Sequence, residues 1–323
     1  MAIYEASLDE LRDTRAQVTA PPDLDEFWAA ALAADAGHPL AAAFTPAVSP
    51  LTVLESYDVT FAGANGDPIR AWLHLPAARP ATPLPGVVEF IGYGGGRGLV
   101  HQNVLWAAAG YAHLVMDTRG QGSAWSPGDT PDPHGSAPSH PGFLTRGLLD
   151  PAQYYYRRVF GDAVRAVETA RSHPAVDADR VVAVGGSQGG GIALAMATLS
   201  PHVRAVLPDV PFLCDIQQAC VTAERGPYPE LANYLSVHRD HVEAALHTIS
   251  YVDGTVLGTR ATVPALFSVA MMDAVCPPAT VYAAYNNYGG PKAIEEYRYN
   301  DHEGGGPFHQ QRQVTWLREL LSS

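Results

Sequence analysis

Between Val181 and Ala197 the sequence reads VVAVGGSQGGGIALAMA: a β-branched run, five glycines around one serine, then an alanine-rich apolar segment. β-Branched residues favour a buried strand and the alanine-rich run favours a helix. The glycines must therefore turn the chain from one into the other within a few residues. Gly185-Gly186-Ser187-Gln188-Gly189 is a G-x-S-x-G motif in the strand-before, helix-after setting that the motif needs. The serine is expected to sit in a strained backbone conformation. A Cβ at Gly185 or Gly189 would collide with the adjacent strand or helix. The Ser187 hydroxyl can then project at a helix N-terminus, where the dipole favours developing negative charge.

The rest of the chain supplies the layers for such a turn. LTVLESYDVTFAG and PIRAWLHLP alternate as half-buried strands joined by a turn at ANGD, after a loop around Pro46 and Pro50. GVVEFIGY, AHLVMDT, VVAVGG, ALFSVAM and KAIEEYRY follow as short apolar or β-rich runs, mostly separated by helical patterns. YYYRRVFGDAVRAVETARS places Val159, Ala163, Val167 and Ala170 on one helical face. Two short helices are expected to open the chain, with a capping box at Ser7 and Glu10 and an N-cap at Asp23. The expectation is one α/β domain over residues 1–323, a mostly parallel sheet with helices on both faces. Residues 1–50 form an N-terminal extension in this reading. Residues 212–260, after the sixth strand, form a helical insertion over the sheet's C-terminal edge.

A serine hydroxyl needs a base, and the base an orienting acid, which follow in the order acid then histidine in an α/β-hydrolase sheet. ALFSVAMMDAVCPP places Asp273 just after a late strand, beside Pro277-Pro278. KAIEEYRYNDHEGGG places His302 after the last strand, with three glycines that let its loop fold back. Asp301, directly beside His302, is poorly placed to orient the ring and is read as solvated. The oxyanion donors are expected to be the main-chain amides of Gln188 and of Tyr93 in EFIGYGGGRG. Tyr93, Phe212, Tyr228 and Tyr234 are expected to close the acyl side of the pocket and favour small acyl groups. Arg119 and Gln121 are read as structural supports, Arg119 pairing with a carboxylate such as Asp209. Gly185 and Gly189 support the turn, and Cys276, near the acid loop, is assigned to packing.

Other classes are disfavoured. The glycines after Tyr93 do not register as G-x-G-x-x-G with an acidic residue at ribose distance, so no dinucleotide cofactor is expected. HEGGGPFH is not H-E-x-x-H, and three cysteines without a C-x-x-C pair make neither a zinc site nor a disulfide framework, so no metal or other cofactor is expected. A formal charge of −13, from 33 acidic against 20 basic residues, disfavours nucleic-acid and anionic membrane partners. No stretch is apolar over the roughly 20 residues that span a bilayer, and the start does not read as a signal peptide, so a cytoplasmic protein is expected. An acyltransferase of the same fold uses the same acyl-enzyme and stays open, as does a non-catalytic ligand-binding protein of this fold.

Several motifs taken together resemble the acetyl xylan esterase / cephalosporin C deacetylase family. They are RGQGS at Arg119–Ser123, GGSQGGG at Gly185–Gly191 and HEGGG at His302–Gly306. GLLDPAQYYYRRVFGDAVRAVE, LPDVPFLC and DAVCPPATVYAAYN add to them, and the likeness runs from LDEFW to the C-terminal helix. The resemblance implies an α/β-hydrolase that removes acetyl groups from xylo-oligosaccharides and from cephalosporin C type esters. It implies Ser187, His302 and Asp273 as catalytic triad, Tyr93 and Gln188 as oxyanion donors, and a homo-hexamer built as a trimer of dimers. Ile91 stands where some members carry histidine; the donor there is a main-chain group, so only a polar substrate contact is at stake.

Overall fold

The computed structural model describes residues 8–16, 18–135 and 137–322. Its strands are β1 (Ala43–Ala47), β2 (Leu54–Ala62), β3 (Pro68–Pro76), β4 (Leu84–Phe90), β5 (Ala112–Met116), β6 (Val176–Gly186), β7 (Val203–Asp209), β8 (Ala265–Ala270) and β9 (Lys292–Tyr297). They form one nine-stranded sheet in the order β1-β2-β3-β5-β4-β6-β7-β8-β9. From β5 to β9 the neighbours are parallel, while β1, β2 and β3 add an antiparallel edge. This is the α/β-hydrolase architecture. The β2–β3 turn falls at ANGD, where Asn65 adopts φ 59°.

Strand β1 differs from the expected loop around Pro46. It pairs with β2 only, Pro46 opposite Tyr57. An edge strand tolerates proline because one side of it has no ladder to donate to. With β1, and with β7 (Val203–Asp209) standing between the VVAVGG strand and the insertion, the helical insertion follows the seventh strand, not the sixth.

Alternation along β6 divides the core. Val182 and Val184 face a smaller cluster with Trp106 and Leu317, beneath the helix Gly306–Ser322. Val181 and Ala183 face the larger one, with Val159 and Ile192 from the helices Tyr155–Ser172 and Gln188–Leu199. The helix Tyr155–Ser172 is buried on nearly all sides, with only Glu168, Arg171 and Ser172 outside the core. The helix Leu24–Ala36 covers its outer side, Trp28 stacking on Phe160 and Asp35 pairing with Arg157 at 3.1 Å. Asp23 precedes that helix without capping it; its carboxylate accepts a hydrogen bond from the Tyr251 hydroxyl at 2.6 Å instead. Ser7 lies outside the described residues.

Between β7 and β8 lie four helices, Ile216–Thr222, Tyr228–Val237, Val242–Ser250 and Gly254–Leu257. Asp253 anchors them by accepting amides of Asp215, Ile216 and Thr255. Asp215 is buried in a left-handed conformation, φ 45°, and burial together with Asp253 pushes its carboxyl up to about 6. The folded state then holds a proton that the unfolded chain releases near pH 4, so stability falls as pH rises from about 4 through 6. Asp215→Asn, which also suits the left-handed backbone, is expected to stabilise the protein by about 1–2 kcal/mol at pH 8 and by little at pH 4. Urea melts at the two pH values check this, and equal gains at both would refute it.

Candidate active site

The C-terminal ends of four parallel strands meet at one rim, as open sheets of this class arrange their sites. After β6 the chain turns through Ser187, φ 56° and ψ −119°, straight into the helix Gln188–Leu199. The glycines permit it. A Cβ on Gly185 would lie 2.4 Å from the Gly189 carbonyl carbon, and one on Gly189 would lie 2.0 Å from the Phe90 oxygen. The Ser187 amide donates to the Asp209 carbonyl at 2.9 Å, and the Ser187 carbonyl accepts from Phe212 at 2.9 Å. The turn is thus pinned to the end of β7.

Asp273 follows β8 and is wholly buried; one carboxylate oxygen accepts the amides of Val275 and Cys276 at 2.8 and 2.9 Å. Its other oxygen faces His302 Nδ1 at 2.8 Å, and His302 Nε2 faces the Ser187 Oγ at 2.8 Å. The structure therefore brings the three side chains into one continuous relay. The glycines after His302 have a visible purpose: Gly304, Gly305 and Gly306 all take positive φ, and a Cβ on Gly305 would lie 2.4 Å from the Tyr297 ring. Asp301 keeps a half-exposed side chain, as expected, while pairing with Arg225 and accepting the His302 amide at 2.8 Å; it does not touch the imidazole.

Across from Ser187, the loop after β4 carries Tyr93. Its amide donates to no other described residue. Gln188 opens its helix, so its amide has no intrahelical acceptor. The loop is held against the serine turn by a buried amide pair: Gln121 Nε2 donates to Gln188 Oε1 at 2.8 Å, and Gln121 Oε1 accepts the Gly94 amide at 2.7 Å. Gln188 Nε2 donates to the Ile91 carbonyl at 3.0 Å, and the Tyr156 hydroxyl donates to Gln188 Oε1 at 3.0 Å. A strained serine with a histidine–carboxylate pair behind it and two free amides before it is equipped for acyl transfer.

Comparison with known proteins decides the family. A model described as acetyl xylan esterase matches residues 1–320. The chain belongs to the acetyl xylan esterase family. The acetyl xylan esterase from a Paenibacillus species is 37% identical, with a TM-score of 0.91 over 97% of this chain and 99% of that one. Acetyl xylan esterase 1 from a Thermoanaerobacterium species is 31% identical, with a TM-score of 0.89 over 98% and 99% of the two chains. Acetyl esterase Axe7A of Xylanibacter ruminicola is 31% identical over 180 residues, 56% of this chain but only 40% of that longer protein.

In this acetyl xylan esterase family member, a cavity of about 730 Å³ opens over Ser187, walled by Tyr93, Trp125, Pro227, Val275 and His302. Phe212 and Tyr228 do not line it. Both are fully buried, Phe212 packed edge-on behind the Tyr93 ring and against Tyr228 at 4.4 Å. They back the wall because the insertion folds over them. Tyr234 lies farther out, its hydroxyl bonded to His241 at 2.9 Å. Trp125 takes the exposed aromatic place and donates to the Tyr93 carbonyl at 2.8 Å. Nothing in RGQGSAW sets this tryptophan apart, so the sequence reading missed it. Ile91 is almost buried and borders the cavity with an apolar side chain. Cys276 is buried, and burial beside Asp273 raises its thiol well above the usual range, so it stays neutral.

Arg119 does not pair with Asp209. The two lie under different helices. Asp209 accepts from His309 at 2.7 Å and from Gln313 at 2.8 Å, both on the C-terminal helix. Arg119 is fully buried under Tyr155–Ser172, where it grips Asp162 with two bonds of 2.6 and 2.7 Å and reaches Asp67 at 2.9 Å. Burial alone would lower its pKa, but Asp162 and Asp67 outweigh it and raise it. Arg119→Met is expected to cost about 3–5 kcal/mol, because Asp162 would be left buried and unpaired. Denaturant melts check this, and a loss below about 1 kcal/mol, the worth of an exposed pair, would refute it.

Proposed function

We propose that this chain is a serine esterase that removes acetyl groups from acetylated xylo-oligosaccharides, and from cephalosporin C type esters, through an acetyl-enzyme. The observation that carries the proposal is the unbroken Ser187–His302–Asp273 relay, with both contacts at 2.8 Å, facing the free amides of Tyr93 and Gln188. The names of the two related solved esterases support the substrate class. His302 Nε2 takes the Ser187 proton as Oγ attacks the ester carbonyl. The oxyanion forms between the amides of Tyr93 and Gln188, and Asp273 holds the imidazole and steadies its positive charge. His302 then protonates the departing sugar oxygen, and water repeats the sequence on the acetyl-enzyme. No metal or other cofactor enters any step of this scheme.

Tyr93, which walls the cavity over Ser187, is backed by Phe212, itself packed on Tyr228, and this rigid aromatic wall supports a small acyl pocket. p-Nitrophenyl acetate is therefore expected to be cleaved with at least 10-fold higher kcat/KM than the octanoate, ~1.4 kcal/mol of discrimination; a preference for octanoate refutes the small acyl pocket. Acetate release from acetylated xylo-oligosaccharides and from cephalosporin C tests the substrate assignment, and failure on both overturns it. Working in the cytoplasm as a homo-hexamer is part of the same proposal; light-scattering mass in solution tests the assembly.

A further inference from the structure

The loop that carries Tyr93 is tied to the helical insertion through one side chain. The Tyr93 hydroxyl lies 2.8 Å from both carboxylate oxygens of Glu230, to which it donates, and it accepts the Phe143 amide at 2.5 Å. Glu230 stands in the first turn of the helix Tyr228–Val237 and also accepts the Leu144 amide at 3.2 Å. The backbone approaches the carboxylate closely at Gly142, φ 125°, where a Cβ would lie 2.2 Å from Glu230 Oε2. Burial raises the Glu230 carboxyl, while the bonds from Tyr93 and the Leu144 and Phe143 amides oppose the rise. Burial also raises the Tyr93 phenol, which keeps its proton and remains the donor.

An oxyanion donor helps only if its N–H is already aimed where the charge develops. Tyr93 sits in a run containing Gly92, Gly94, Gly95 and Gly96, with Gly94 at φ 78°, where the main chain has unusual freedom. Backbone ties hold the loop as well: the Gly92 carbonyl, on the peptide that bears the Tyr93 amide, accepts from Gly95 at 3.1 Å, Trp125 donates to the Tyr93 carbonyl, and the Gly94 amide donates to Gln121. All of these lie within glycine-rich or neighbouring loops, whereas the Tyr93 phenol carries the hydrogen bond that joins this loop to the insertion, through Glu230. We propose that Glu230 is a positioning residue for the oxyanion hole. By holding the Tyr93 phenol it fixes the Tyr93 amide over Ser187, and it makes transition-state stabilisation depend on the docked insertion. Glu230 does not line the cavity over Ser187, so it acts through Tyr93 and touches no substrate. This inference rests on the esterase reading, with Tyr93 as an oxyanion donor.

The test uses Glu230→Ala, Glu230→Gln, Tyr93→Phe and the double variant Glu230→Ala/Tyr93→Phe in the full chain. kcat and KM for p-nitrophenyl acetate are measured per active site, counted by fluorophosphonate labelling. Loss of a whole oxyanion donor costs roughly 10²–10³ in kcat, so loosening one should lower kcat by about 10- to 100-fold with KM within about twofold. The double variant should be no worse than the poorer single one, because both cut the same tie. Glu230→Gln should recover activity to within about threefold of wild type, since its amide oxygen still accepts from the phenol. Unchanged kcat per labelled site in Glu230→Ala and Tyr93→Phe, a loss confined to KM, or fully multiplicative losses in the double variant would each overturn the inference. If Glu230→Ala does not fold, the kcat of Tyr93→Phe decides. A wild-type protein that neither hydrolyses acetates nor takes the label overturns the esterase reading itself, a result distinct from these.

Discussion

Ser187→Ala should lower kcat for p-nitrophenyl acetate by about 10⁶-fold while leaving the fold in place. The Ser187 Oγ meets His302 Nε2 and the Cys276 thiol, so its loss removes the attacking atom and little packing. The backbone at φ 56° is set by Gly185, Gly189 and the main-chain bond to Asp209, none of which involves the hydroxyl. The melting temperature should therefore stay within a few degrees of wild type, and relief of a strained catalytic group can even raise it. Residual hydrolysis should match what binding and the amides of Tyr93 and Gln188 supply by themselves. Turnover by purified Ser187→Ala near the wild-type rate would show that another residue attacks the ester.

Asp273→Asn should lower kcat by about 10⁴-fold, and the reason is directional. One Asp273 oxygen accepts two backbone amides, from Val275 and Cys276. An asparagine must turn its oxygen to those donors, which leaves its NH₂ facing His302 Nδ1. Nδ1 must then accept, so the ring proton moves to Nε2 and points at the Ser187 hydroxyl. The base is present but in the wrong tautomer. Stability should change far less than activity, because the same shape and the same two amide bonds remain. A kcat within 10-fold of wild type, measured with labelling to count sites, would mean that Asp273 does not orient the base.

The site was readable where it depends on local chain geometry. A serine between Gly185 and Gly189, an aspartate before Pro277-Pro278 and a histidine before three glycines mark strand ends that must turn sharply, and turns need those residues. The glycine-rich loop at Tyr93 was readable for the same reason. Strand β1 was not, because Pro46 reads as a strand breaker until the strand is known to lie at the sheet's edge. The partners of Arg119 were not readable either. Asp67, Asp162 and Asp209 are all carboxylates after or within the right elements, and only the side of the sheet on which each lies separates Asp209 from the other two. Phe212 and Tyr228 looked like pocket residues by composition, yet packing turned them behind Tyr93. Trp125, Glu230 and the hydroxyl of Tyr156 carry no local signal, since ordinary residues gain a role there only from what they meet.

From its amino-acid order alone this chain was bound to alternate strands and helices and to turn tightly at Ser187, because side-chain sterics and period act over a few residues. Which carboxylate neutralises Arg119, which ring borders the cavity and which acid grips Tyr93 depend on contacts made across many tens of residues. Those were decided only when the sheet sorted its two faces and the insertion closed over the rim, since hydrogen bonds and packing are short-ranged in space and indifferent to distance along the chain.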